Sequence, residues 1–312
     1  MRPETTGSEF SFKILGPLEI TAAGKDITVT GMRLRTLLTL LLLNVGRPVG
    51  NERLIDGIWG GRAPRTAEAQ LRICVSRLRC LLAEGGVRDV IATESRSYRL
   101  TVPEDRVDVP RFRNLLDRAG HAEASRDDAE AVRLLRAALD LWRGPVAEGL
   151  TSPPVRAAAA SLDEERASAL ERRFGIELRL GRHHRIIPEL AASAAEYPFR
   201  ENLQSQLITA LYRAGRQADA LNIYRELKQR LAEEIGIDPS QRLRTLELKI
   251  LEQNPGLDDN ATELPRNARI RLAALERENA LLHAERRRFS RLMAGLTGRH
   301  DPLPQVSCHV SR

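Results

Sequence analysis

The sequence predicts a mainly α protein with a small β component, organised as residues 1–107, 108–256 and 257–312. The first observation behind this is length. At 312 residues the chain holds about two domains of roughly 100–200 residues each, with some to spare. The second is periodicity: apolar residues alternate near the N-terminus and again around Val90–Val102, and elsewhere recur at helical spacing. The third is composition. Leu, Ala, Arg and Glu dominate and aromatics make up 4%, which favours helix.

"FSFKILGPLEIT" alternates at Phe10, Phe12 and Ile14, breaks at Gly16-Pro17 and resumes at Leu18 and Ile20. "GKDITVTG" adds Ile27 and Val29, so short antiparallel strands joined by turns are expected. From Met32 the period changes. Leu34, Leu37, Leu38, Leu41 and Leu42 form one face of a helix that "GRPVG" ends. Asn51 is the expected N-cap of a second helix with Leu54, Ile55, Ile58 and Trp59 inward. "GGRAP" stops it, and a third helix begins near Arg65-Thr66. "VIATESRSYRLTV" then reads as a hairpin with its tip around Glu94–Ser97. Three helices followed by a hairpin is the plan of a winged helix.

Pro103–Pro110 is a charged boundary. From Phe112 to about Gln253 the chain is helical in pairs. Leu207, Leu211, Ala220, Tyr224 and Leu227 fall where tetratricopeptide repeats place packing residues, so a helical-hairpin solenoid is expected, with a generic helical bundle as the alternative. A linker at Asp258–Ala261 leads to a last helix from about Asn267 to Thr297. There Leu272, Asn279, Arg286 and Met293, with Leu275, Leu282, Phe289 and Leu296, make an a/d seam. That seam suits either a homodimeric coiled coil or a helix folded back on the repeats.

The net charge of +7 is unevenly spread. Residues 1–107 hold 16 Lys/Arg against 12 Asp/Glu, whereas residues 108–255 hold 23 of each. Within Gly31–Leu82, nine arginines face three acids. A cationic excess confined to one helical stretch is the footprint expected for a polyanion.

The third helix carries most of it. With Leu71 as origin, Val75, Leu78 and Leu82 fall within about 40° on a helical wheel and form the core row. Ala69, Ile73, Ser76 and Cys80 lie opposite, flanked by Arg72, Arg77 and Arg79. Small residues let a helix approach the floor of the DNA major groove, and flanking guanidiniums reach base edges or phosphates. Arg65 and Thr66, at the helix start, are placed to bind a phosphate. Arg96, at the hairpin tip, is placed for an adjacent minor groove. The alternatives are an ordinary solvated helix face, and a helical-repeat adapter whose winged helix does not read DNA.

"RLRTLLTLLLLNVGRPVGNERLIDGIWG" followed by "AEAQLRICVSRLRCLL" resembles the OmpR-type winged helix. "LRAALDLWRGP" and "AEEIGIDPSQRLRTLELKILEQNP" resemble a bacterial transcriptional activation domain. Together they resemble the Streptomyces antibiotic regulatory protein family over about residues 10–256. The resemblance implies an activator that binds direct repeats in double-stranded DNA upstream of promoters and recruits RNA polymerase holoenzyme, typically at secondary-metabolite clusters. It assigns a base contact to Arg77 and a phosphate contact to Arg79, and the outer face of the helix adds Arg72 and Ser76 as expected base readers. Two protomers are expected on adjacent repeats. One departure stands out: the family commonly has Gly before the wing tyrosine, and here Ser97 precedes Tyr98.

Other classes find no support in the residues. No phosphate-binding loop, dinucleotide fingerprint, nucleophile elbow or zinc-protease motif is present, so neither an enzyme nor a cofactor is expected. His183 and His184 are adjacent, and one exposed and one half-buried histidine is expected rather than a metal pair. The run Asp163-Glu164-Glu165 reads as a solvated helix surface. Cys74, Cys80 and Cys308 form no disulfide framework. "MRPETTGSEF" has no signal-peptide apolar core, and the longest apolar run, Leu37–Val45, is far short of the roughly 20 residues that span a bilayer. A reduced, cytoplasmic protein with no membrane partner is expected.

Overall fold

The α1 helix, Met32–Leu42, buries every residue from Thr36 to Leu42 and is the hub of the N-terminal region. The computed structural model describes residues 10–253; the expected linker and the helix at 267–297 lie outside the described residues. Before α1, β1 (Phe10–Lys13), β2 (Glu19–Ala22) and β3 (Lys25–Asp26) form an antiparallel sheet in that order. Phe12 pairs with Ile20 in register, and both are buried. The third strand is shorter than its alternation suggested, ending before Ile27.

Two further helices pack on α1: α2, Asn51–Trp59, and α3, Ala67–Glu84. Gly57 brings α2 close, since a Cβ there would stand 2.5 Å from Leu40 Cδ1. Asn51 is not the N-cap. Gly50 holds that position, and Asn51 is the first helical residue, its backbone N–H donating to the Arg96 carbonyl at 2.9 Å. "GRPVG" is more than a helix stop. Pro48–Gly50 is strand β4, which pairs with the wing hairpin of β5 (Ile91–Glu94) and β6 (Ser97–Leu100) in the order β4-β6-β5.

The segment at 103–110 is a closed junction. After a 3₁₀ turn at Glu104–Arg106, helix α4 (Asp108–Ala124) starts with Asp108 and Val109 buried. The Asp108 carboxylate accepts from the backbone N–H groups of Ile14 and Leu15, both at 2.7 Å. From the other side, the N–H groups of Arg143 and Ala147 donate to the carbonyls of Leu15 and Ile14. Gly16, at φ 142°, turns the chain where a Cβ would come to 3.0 Å from Arg143 Cβ. One apolar core runs across this junction from Phe12 and Leu38 to Phe112, Ala138 and Leu162.

The remaining helices are α5 (Asp128–Leu139), α6 (Pro153–Arg179), α7 (His183–Glu196), α8 (Glu201–Arg213), α9 (Gln217–Arg230) and α10 (Gln241–Leu251). Each packs on its neighbour in sequence, and α6 also packs on α8, as in stacked helical hairpins. Leu207, Leu211, Ala220, Tyr224 and Leu227 are all buried between α8 and α9. Asp163, Glu164 and Glu165 are not a plain solvated face. They accept from Tyr197, Arg200 and Arg113 respectively, tying α6 to α4 and to the turn after α7.

Candidate nucleic-acid interface

Helix α3 is held by the row its spacing predicts: Leu71, Val75, Leu78 and Leu82 are at most 1% exposed. Burying each contributes roughly 1.5–3 kcal/mol, which fixes the rotation of the helix and so fixes what faces outward. The outward ridge is Ala69, Ile73, Ser76 and Cys80, all exposed. Ile73 is the large apolar member of this ridge, 53% exposed.

The two flanks of this ridge differ. On the α1 side, Arg33 Nη1 donates to Gln70 Oε1 at 3.3 Å, and Gln70 Nε2 donates to the Thr66 hydroxyl at 3.0 Å. The Arg33 guanidinium lies 5.4 Å from the Trp59 ring centre. Burial pushes the Cys74 thiol up, and the charges of Arg33 and Arg77 oppose that shift. Arg77 and Arg65 are exposed and pair with no carboxylate among the described residues. Thr66 makes no side-chain cap, and the first backbone N–H of α3, that of Ala67, donates to the Pro64 carbonyl at 2.9 Å.

On the wing side, Glu68 is the pivot. It lies 3.6 Å from Arg72 and 3.9 Å from Arg96, and Arg96 also lies 4.0 Å from Glu52. Arg79 is turned onto strand β5: Nε and Nη2 donate to the Ile91 carbonyl, and Nη2 also to the Thr93 hydroxyl. The missing wing glycine is no obstacle. Glu94 pairs directly with Ser97, and none of Ser95, Arg96 and Ser97 has a positive φ.

Of the residues singled out in the sequence, Arg65, Thr66, Arg72, Ile73, Ser76, Arg77, Arg79 and Arg96 are therefore all exposed or half-exposed on α3 and the wing tip. Arg33 and Gln70 were missed. Arg33 was counted in the basic stretch, but its place beside α3 depends on how α1 packs. His183 is buried and His184 exposed, though their ring centres are only 4.5 Å apart. No group of His, Cys, Asp or Glu able to hold a metal occurs among the described residues. No helix among them is long and apolar enough to cross a membrane.

Residues 24–100 match the family model "transcriptional regulatory protein, C terminal", and residues 107–251 match "bacterial transcriptional activator domain". Fold and face together define a transcriptional regulator with an OmpR-type DNA-binding winged helix. The chain is 35% identical over 269 residues to the regulatory protein DnrI of Streptomyces peucetius, covering 83% of this chain and 98% of that one. It therefore belongs to the Streptomyces antibiotic regulatory protein family. It is also 37% identical to the regulatory protein AfsR of Streptomyces coelicolor, over 81% of this chain and 25% of that one. With the transcriptional regulatory protein EmbR of Mycobacterium tuberculosis it shares 39% identity over 80% of its own length, and spans 66% of that protein. The solved structure of Mycobacterium tuberculosis EmbR in complex with low affinity phosphopeptide superposes with a TM-score of 0.74 at 37% identity, covering 82% of this chain and 69% of that one.

Proposed function

We propose that the protein is a sequence-specific transcriptional activator that binds direct repeats upstream of promoters and recruits RNA polymerase holoenzyme. Its targets are genes of a secondary-metabolite cluster, and it has no catalytic activity of its own. The observation that carries this reading is the face of α3: a ridge of exposed Ala69, Ile73 and Ser76 beside Arg77, whose guanidinium pairs with no acid among the described residues.

Residues 1–107 supply the reading surface. Arg77, Arg72 and Ser76 reach base edges in the major groove, where a bidentate arginine–guanine pair gives about 1–3 kcal/mol of discrimination. Arg65 and Thr66, at the start of α3, take a phosphate, and Arg96 enters the neighbouring minor groove. Arg79 has Nε and Nη2 committed to β5, so a phosphate contact falls to Nη1. Residues 108–256 face the polymerase, and two protomers on adjacent repeats present them together.

The test is footprinting on the upstream regions of neighbouring genes, followed by transcription in vitro with RNA polymerase holoenzyme. Protection of paired direct repeats and a rise in transcript that depends on them support the reading. A folded protein that protects no fragment refutes it.

A further inference from the structure

On the wing side of α3, one carboxylate serves two arginines from different elements. Glu68 Oε2 stands 3.6 Å from Arg72 Nη2, and its Oε1 stands 3.9 Å from Arg96 Nη2. With Glu52 4.0 Å from Arg96, the group of two acids and two arginines sums to zero charge. The α1 side is the reverse: Arg33 bonds neutral Gln70, which bonds Thr66, and Arg77 pairs with no carboxylate among the described residues.

The helix dipole favours an acid in the first turn of α3, but it does not require that acid to reach Arg72 and Arg96. The side chains of Glu68, Arg72 and Arg96 are 56%, 71% and 76% exposed, and ion pairs this open to solvent add little to stability. The wing tip is already fixed without it. The Asn51 N–H holds the Arg96 carbonyl, and Gly50 pairs with Ser97. Only side chains need to move for Arg96 to leave Glu68.

Position gives the reason. Glu68 is the second residue of α3, at the end of a recognition helix whose residues meet base edges. A carboxylate there is repelled by phosphates and competes with them for Arg72 and Arg96. That penalty falls on every sequence unless a base offers the carboxylate a donor, and in the major groove the N4 amino group of cytosine does so. We infer that Glu68 is a specificity-determining residue: it holds Arg72 and Arg96 back from indiscriminate phosphate binding and releases them where its carboxylate accepts from a cytosine N4 amino group.

The inference rests on the DNA-reading proposal above, and two arms of one experiment separate them. Wild-type full-length protein is used to select duplexes from a random-sequence pool, and so is Glu68→Gln. Affinities of both are then measured for the wild-type winner and for the unselected pool. Denaturation midpoints establish that the variant is folded. The expected result is that Glu68→Gln binds the unselected pool more tightly, that the ratio of selected to unselected affinity falls about tenfold, and that one G·C preference vanishes from its selected set. An equal change on both duplexes, or none, overturns the inference and leaves Glu68 a solvated surface acid. A wild type that enriches no sequence removes the DNA-reading proposal itself, and the inference with it.

Discussion

The helical repeats and the winged helix use arginine in opposite ways. In the repeats, Arg113, Arg136, Arg166, Arg172, Arg173 and Arg200 each pair with a glutamate on another element. Between 108 and 255, where 23 basic residues stand against 23 acidic ones, these six pairs staple one element to another. On α3 and beside it, Arg65 and Arg77 have no such partner among the described residues, and Arg72 and the wing-tip Arg96 have only loose, exposed ones. Charge that the fold leaves unneutralised is charge available to an external polyanion.

Substitutions in the two regions should therefore fail differently. The largest effect is expected for Arg136→Ala. It strands Glu177, which is fully buried with Oε2 already unpartnered, and should destabilise the fold by about 3 kcal/mol in urea titration. The DNA affinity of the molecules that remain folded should not change. Arg77→Ala should do the converse, weakening binding to a cognate duplex by about 1–3 kcal/mol and relaxing one base preference, with the melting temperature unmoved. A stability loss in that variant would break the contrast.

Arg79→Ala falls between the two. It cuts α3 from β5 at the Ile91 carbonyl and Thr93 hydroxyl, so about 1–2 kcal/mol of stability should go with a smaller loss of DNA affinity. Faster amide hydrogen exchange across Ile91–Glu94 would show the untied wing.

The smallest effect concerns the junction that joins the two regions. Burial pushes the Asp108 carboxyl above the ordinary aspartate range, against the N–H groups of Leu15 and Ile14 and the charge of Arg143. The native protein thus keeps this proton to higher pH than the unfolded chain. Its contribution to stability falls as pH rises from the ordinary aspartate value through the raised one, and is flat above. Asp108→Asn should remove that slope in denaturation midpoints measured across the acid range.

Much of this was readable from periodicity. The core rows of α1 and α3 follow from the 3.6-residue repeat, and with them the outward ridge at Ala69, Ile73 and Ser76. What was not readable depends on contacts between distant segments. Strand β4 is three residues containing Pro48 and Gly50, and its partner β6 begins at Ser97. Asp108 looked like one more boundary acid because its two donors lie at Ile14 and Leu15. Arg79 looked free because its acceptors on β5 are 12 and 14 residues on. Glu68 reads in the sequence only as an acid within a basic stretch, since its reach to Arg96 exists only once the wing is folded beside α3.

The most direct measurement is the affinity of wild type and Arg77→Ala for a selected duplex and for a scrambled one, at about 50 and 200 mM salt. Phosphate contacts release counterions, so affinity for both duplexes should fall by orders of magnitude with salt in both proteins. Arg77→Ala should lose about 1–3 kcal/mol on the selected duplex alone. Salt-independent binding, or an Arg77→Ala variant that still discriminates fully between the two duplexes, would contradict the assignment of α3 as the element that reads DNA.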